Sequence, residues 1–150
     1  MTSLQEAPKR GEIDAAISNA LVGLIREHVG RGPTKARTIH SGKFVLCVLE
    51  DTMTKAERTL ASAGEEDSVL RIRHSLQQVM GNEMAAAVET FTQRKVVAFM
   101  SANHIEPDLA AELFVLDEPV LDPAVAPFPL EDSGRTEPSD GSSPQTANGQ

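Results

Sequence analysis

The stretch Thr38-Ile-His-Ser-Gly-Lys-Phe-Val-Leu-Cys-Val-Leu-Glu50 places two apolar runs on either side of Ser41-Gly42. Residues of these types favour strands, and a Ser-Gly step between two such runs is typical of a tight connection. We therefore predict strands at Thr38–His40 and Phe44–Glu50, joined by a hairpin or a bulge. The second run is apolar at successive positions, which predicts that both of its faces need covering.

Apolar residues at three- and four-residue spacing predict helices on both sides of this hairpin. The first covers Glu12–Val29 and ends at Gly30. After the hairpin, Thr54 and Glu57 fit the capping box of a short helix that stops at Gly64. A long third helix follows, and its predicted apolar stripe consists of Val69, Ile72, Leu76, Val79, Met80, Met84, Val88 and Phe91.

A second pair of strands is predicted near the end of this region. Lys95–Ser101 is strongly apolar, Asn103–Asp108 has turn composition, and Leu109–Leu116 contains the last strand. The resulting order is αββααββ, without the strand–helix alternation of a parallel sheet. We predict an α+β, two-layer domain, in which an antiparallel or mixed four-stranded sheet is covered on one face by about three helices.

Composition divides the chain into three regions. Residues 1–10 are predicted to be a flexible N-terminus, 11–116 the domain, and 117–150 a disordered tail. The tail is rich in Pro, Ser and Gly and carries a net charge of −6, so only −2 of the total −8 lies in residues 1–116. Such a segment buries too little apolar surface to offset the loss of chain entropy on ordering.

The overall composition excludes several functional classes. Aromatic residues make up 3% of the chain, with no Trp or Tyr, and the pI is near 4.9, so we expect no nucleic-acid partner. A single cysteine, Cys47, permits no internal disulfide and is predicted to be a buried apolar side chain. No apolar run approaches the ~18 residues of a transmembrane segment. We expect a cytoplasmic protein, with any membrane role exercised at the inner face.

Basic residues are concentrated between His28 and Leu49, where no acidic residue occurs. We predict an anion-binding loop at Gly30–Arg37, in which glycines free backbone N–H groups and cations bind phosphate or carboxylate. Its spacing is not that of a Walker A motif. The alternative is a helix C-cap at Gly30 followed by a turn, with cations compensating the helix C-terminus. The predicted anion-binding residues are Arg31, Gly32, Thr34, Lys35 and Arg37.

The turn near residue 104 is a secondary polar candidate, formed by Ser101, His104 and Asp108. Asn103, His104, Asp108 and Glu112 could ligate a metal or polarise a ligand. Ser101, His104 and Asp108 have the residue types of a hydrolase triad. However, the four histidines lack metal-binding spacing and no Gly-x-Ser-x-Gly elbow is present, so we predict no metal and no cofactor. Backbone requirements of a hairpin turn explain this composition better. The charged residues Glu65–Asp67, Arg71 and Arg73 are interpreted as a solvated helix surface.

Four segments, in the same order, resemble the bacterial MpsC-like family, formerly a domain of unknown function. They are Gly30-Arg-Gly-Pro-Thr-Lys-Ala-Arg37, Leu49-Glu-Asp-Thr-Met-Thr-Lys-Ala-Glu-Arg-Thr-Leu60, Arg94-Lys-Val-Val-Ala-Phe-Met-Ser101, and His104-Ile-Glu-Pro-Asp108 followed by Glu112-Leu-Phe-Val-Leu116. The resemblance implies a link to a Na+-translocating, membrane potential-generating system and supplies no catalytic residues. Gln93 stands where the family usually has Gly, so a turn with positive φ would be strained there.

Two functional hypotheses follow. The first is an accessory or regulatory protein that binds an anionic small molecule or partner, including membrane transport subunits, through residues 30–37. It is expected to dimerise, because Phe44–Leu49 needs more covering than a few helices provide. The second is a small enzyme acting on a phosphorylated or carboxylate substrate, with His104 or His40 as acid–base group. The absence of a nucleophile–base pair from the sequence favours a protein that is not an enzyme.

Overall fold

The computed structural model describes residues 8–121, which form three helices and one four-stranded sheet, all of whose strand pairs are antiparallel. The predicted α+β class and the order αββααββ are both confirmed. The predicted flexible residues 1–7 and tail residues 122–150 lie outside the described part. The elements are α1 (Arg10–Val29), β1 (Lys35–Ser41), β2 (Phe44–Glu50), α2 (Lys55–Ser62), α3 (Glu66–Thr92), β3 (Val96–His104) and β4 (Leu109–Leu116).

The sheet has the order β1-β2-β4-β3, so the two hairpins meet through β2 and β4 at its centre. Leu46 lies opposite Ile39 on one side and opposite Leu113 on the other. Several predicted bounds are wrong, and two of the shifts are three residues long. β1 begins at Lys35 instead of Thr38, and β3 continues to His104, into the segment predicted as a turn. In both cases pairing with the neighbouring strand extends the regular backbone beyond the apolar run.

The core lies between the inner sheet face and helices α1 and α3. Cys47 is fully buried there, as predicted, and burial raises the pKa of its thiol. The rings of Phe99 and Phe114 stack with their centroids 5.0 Å apart. The main core side chains are Ile13, Ile17, Leu21 and Ile25 from α1, Met80, Met84 and Val88 from α3, and Val45, Leu49, Ala110, Phe114 and Leu116 from the sheet.

The buried stripe of α3 is narrower than predicted. Ile72, Val79 and Phe91 are exposed, although they fit a helical apolar pattern. The other predicted positions face the core, and Val69, Met80, Met84 and Val88 are buried. Between Val69 and Met80 the buried positions are polar, namely Arg73 and Gln77, and Leu76 packs against the core while partly buried. The interior of this region is therefore partly polar.

The ends of the helices follow local chemistry. Gly30 closes α1 with a φ of 90°, as predicted, and Thr54 and Glu57 form the predicted capping box of α2. Gln93 closes α3 in the left-handed region, with a φ of 56°. The strain expected from a residue other than glycine is therefore present at Gln93, and its side-chain amide donates a hydrogen bond to the carbonyl of Thr90.

Candidate functional site

Arg31, the first cation of the predicted anion-binding loop, is bonded within the protein. Its guanidinium donates to the Asp51 carboxylate at 3.1 Å and to the backbone carbonyl of Met53. The hydrogen bond from Arg31 lowers the pKa of Asp51, which also pairs with Arg58. Arg31 thus fastens the segment after α1 to the connection between β2 and α2.

Lys35 and Arg37 have a different environment, because both are exposed on edge strand β1 and point to its outer face. The Lys35 side chain is 78% exposed, and its Nζ lies 3.6 Å from the Glu50 carboxylate. Exposed ion pairs of this kind contribute about 0–1 kcal/mol. Both cations are therefore accessible to an external anion.

The remaining loop residues divide between packing and exposure. A Cβ at Gly32 would lie 3.2 Å from the Val22 side chain, so the glycine fits a close contact with α1. Thr34 is exposed, its backbone N–H donates to the Glu50 carbonyl, and its side chain contributes to the lowered pKa of Asp51. Lys43 lies in the turn between β1 and β2, at the end of the hairpin opposite Lys35.

The structure does not join Ser101, His104 and Asp108 into one site. Ser101 lies opposite Glu112 on the inner face, whereas His104 is exposed at the end of β3 and bonds the Pro107 carbonyl. Asp108 accepts from the Thr52 hydroxyl at 2.7 Å and from the backbone N–H of Met53 at 2.9 Å. Its carboxylate therefore ties the β3–β4 turn to the β2–α2 connection.

His40, the other histidine considered as an acid–base group, is buried in β1. Its Nδ1 lies 2.6 Å from a carboxylate oxygen of Asp14 on α1. In residues 8–121 no group of three or more His, Cys, Asp or Glu side chains could hold a metal ion. A larger group of buried polar side chains lies between α3 and the sheet.

A buried polar cluster joins α2, α3 and the sheet, and the sequence analysis did not identify it. Arg73 is its centre, donating to Thr52 at 2.7 Å, Glu57 at 3.0 Å and Asn103 at 3.2 Å. Arg73 is buried, so its interpretation as part of a solvated surface is wrong. Arg71, two residues earlier, is exposed as expected. The sequence did contain a signal for this cluster. Arg73 and Gln77 follow Val69 at four-residue spacing, which places all three on the same face of the helix.

Glu112 extends this cluster onto β4. It is 1% exposed, and its Oε1 accepts from the Gln77 amide at 3.2 Å, whereas its Oε2 has no hydrogen-bond partner. Burial raises the pKa of Glu112 to about 7, although Ser101, Gln77 and Arg73 act in the opposite direction. This carboxyl group therefore exchanges its proton near neutral pH. Because Glu57 and Arg73 pair with each other, Glu112 is the carboxylate of the cluster without a cationic partner.

A cavity of about 40 Å³ lies beside these groups, bounded by α1, α3 and the inner sheet face. Its polar lining includes Arg73, Gln77, Asn103 and Glu112, and its apolar lining includes Met80 and Met84. A site needs about 10–15 Å³ to hold one water molecule, so this one has room for roughly three groups of that size. The arrangement can bind and release a proton at Glu112.

None of the three described helices is both long enough and apolar enough to cross a bilayer. Comparison with known proteins found no matching curated protein and no matching solved structure. A family model does match residues 9–118, and its description is Na+-translocating membrane potential-generating system (MpsC). The match begins one residue before α1 and ends two residues after β4, so it includes every described helix and strand. Because it also covers well over half of the chain, the protein belongs to the MpsC family.

Proposed function

We propose that this protein is an accessory or regulatory component of a Na+-translocating, membrane potential-generating system, acting on its membrane subunits. The family match supports the link to such a system. The contact is assigned to the basic segment, defined as residues 30–37. The observation that carries this assignment is the exposure of Lys35 and Arg37 side by side on the outer face of β1.

Within the basic segment, the residues have separate roles in this proposal. Arg31 holds the loop in place through Asp51 and Met53. Lys35 and Arg37 contact a carboxylate or phosphate of the partner, whereas the Thr34 side chain interacts with Asp51. The weak pairing of Lys35 with Glu50 is readily exchanged for an external anion, since little free energy is lost with it.

The test measures the Na+-dependent membrane potential of cells that lack the protein and are complemented with variants. We expect wild type to restore the potential and Lys35→Glu/Arg37→Glu to fail, because charge reversal repels an anionic partner. The matched control is Lys55→Glu/Arg71→Glu, which reverses two exposed cations on the helices. We expect this control to restore the potential fully.

Two outcomes would contradict the proposal at different levels. If both double variants restore the membrane potential equally, the basic segment does not make the proposed contact. An unchanged potential in cells lacking the protein, at every Na+ concentration, would remove the accessory role itself. Circular dichroism melts of the purified variants establish that each one is folded, so that a failed rescue reports lost contact.

A further inference from the structure

The outer face of the sheet is a continuous apolar surface. The strand register places Ile39, Leu46, Leu113 and Met100 in one row across all four strands. The next row toward the β1–β2 turn contains Phe44, Val115 and Ala98, with Ser41 at its β1 end. We call these two rows, together with Val48, Ala111 and Ala102 beside them, the outer apolar face.

No helix among residues 8–121 covers this face, because α1 and α3 pack against the opposite side of the sheet. Ile39 is 50% exposed, Phe44 58% and Met100 53%. Protein surfaces seldom leave a large contiguous apolar patch in water, and a patch of this kind marks an interaction site. The face therefore requires an occupant.

We propose that a second copy of this chain covers the outer apolar face, so that two sheets pack face to face in a twofold-symmetric dimer. The inference does not rest on the proposed function, although Arg37 lies opposite Val48 at the border of this face. Stacked sheets pack about 10 Å apart through interdigitated side chains. The product is a four-layer assembly with helices on both outer sides.

The area of the face requires that a dimer partner cover it completely. The face spans five residues on each of the four strands, so strands ~4.8 Å apart with a rise of ~3.4 Å per residue give a flat area of about 330 Å². Two copies together contribute about 650 Å² before the relief of the side chains is counted, and that relief enlarges the accessible area. Stable interfaces of standard size bury about 1,200–2,000 Å² in total. The face therefore supplies the apolar centre of such an interface, and a matching sheet is the partner that covers all of it.

The distribution of charge also favours a second copy. The two apolar rows carry no charged side chain, whereas the charged residues Lys35, Arg37 and Glu50 lie toward the other end of the strands. A twofold interface brings the same patch of each subunit together, so it requires a patch that does not repel itself. An apolar centre with charges toward one border meets that requirement, and it leaves Lys35 and Arg37 on the edge strand at the rim.

The experiment determines the mass of the full chain by light scattering and sedimentation equilibrium. We expect twice the chain mass of 16.1 kDa for wild type. Ile39→Lys and Met100→Lys each place a charge in the outer apolar face, and we expect both variants to be monomers. The matched control is Val79→Lys on α3, where the replaced side chain is 67% exposed, and it should remain dimeric.

A second measurement keeps the inference testable should a lysine variant fail to fold. The melting temperature of a dimer rises with protein concentration, whereas that of a monomer does not. We expect such a rise for wild type and for Val79→Lys. A wild-type chain that is monomeric at every concentration overturns the inference. That result is expected if residues 122–150 or a different protein cover the face in place of a second copy. Dissociation by Val79→Lys alone would move the interface to the helices and overturn it as well.

Discussion

Glu112 is placed in the middle of the inner sheet face, between apolar neighbours Leu113 and Ala111 in sequence and facing α3. One carboxylate oxygen accepts from Gln77, and the other has no partner. Burial disfavours the charged form and raises the pKa of Glu112 to about 7. The unfolded chain lacks this burial, so the same carboxyl ionises there at its ordinary value of 4.5.

This difference predicts a dependence of stability on pH. Between about 4.5 and 7 the unfolded chain releases the Glu112 proton while the folded protein retains it, so the free energy of unfolding decreases as pH rises. The loss attributable to Glu112 is on the order of 3 kcal/mol. Glu112→Gln removes the ionisable group and with it this loss of stability. We expect the variant to have a higher free energy of unfolding than wild type at pH 8, and a smaller difference at pH 5.

Denaturant unfolding at both pH values and at one protein concentration measures this effect. Glu106→Gln, which neutralises an exposed carboxylate, is the control and should follow wild type. A constant stability difference between Glu112→Gln and wild type across this pH range would contradict the prediction, because a purely structural effect of the substitution does not titrate.

At the scale of single residues, the burial of a side chain was predicted correctly where its polarity matches its environment in the fold. Cys47 was predicted to be buried because its neighbours are apolar, and it is. Arg73 was assigned to a solvated surface because it is charged, although its helical spacing from Val69 places it inside. Its burial depends on Glu57, Thr52 and Asn103, which lie 16 to 30 residues away in sequence. The anion-binding role of the basic segment stays a prediction.

At the scale of elements, the end of α3 is the feature most open to test. Gln93 adopts a φ of 56°, a conformation that costs residues with a Cβ roughly 1–2 kcal/mol. Glycine avoids this cost but loses about 0.5–1 kcal/mol through its greater freedom in the unfolded chain. We therefore expect Gln93→Gly to stabilise the protein by up to about 1 kcal/mol, which corresponds to a melting temperature a few degrees higher.

Calorimetry or a circular dichroism melt measures the shift. The companion variant Gln93→Ala retains the strained backbone and loses the hydrogen bond to Thr90, so it should melt at or below the wild-type temperature. A Gln93→Gly protein that melts below wild type would show that the side-chain hydrogen bond outweighs the backbone strain.

The type and order of every element followed from periodicity, capping residues and turn composition, but several bounds did not. β1 starts at Lys35 because its polar residues alternate with inward-facing Ala36 and Thr38, a pattern that an edge strand tolerates. β3 extends to His104 because Leu109 continues the pairing. Strand ends depend on the register of partners distant in sequence, and a local pattern does not contain that information.

At the scale of the whole molecule, the contacts of the domain continue past Leu116, where the sequence placed its boundary. The backbone N–H of Asp117 donates to Lys95, Arg94 donates to the Pro119 carbonyl, and the backbone N–H of Val120 donates to Gly42. Deleting residues 122–150 removes none of these contacts. We expect the shortened chain to melt cooperatively within about 2 °C of the full chain.

A second shortened chain, which ends at Leu116, serves as the control. It lacks all of these contacts, so we expect it to melt at a lower temperature than the full chain. Thermal denaturation of the two shortened chains beside the full chain provides the measurement. Loss of the cooperative transition on removal of residues 122–150 alone would mean that the domain depends on them.

The register shift between Val96 and Ala98 lies on β3, which is one border of the sheet, and the opposite border strand β1 carries Lys35 and Arg37. Irregular backbone and clustered charge are two means by which natural proteins discourage strands of separate molecules from aligning side by side. Edge-to-edge pairing of strands from separate molecules can continue without limit into a fibre. Stacking of two sheet faces instead buries the apolar face of both partners, so no further copy can add there. Both borders are thus unfavourable for growth, and the proposed self-association through the outer apolar face would stop at a pair.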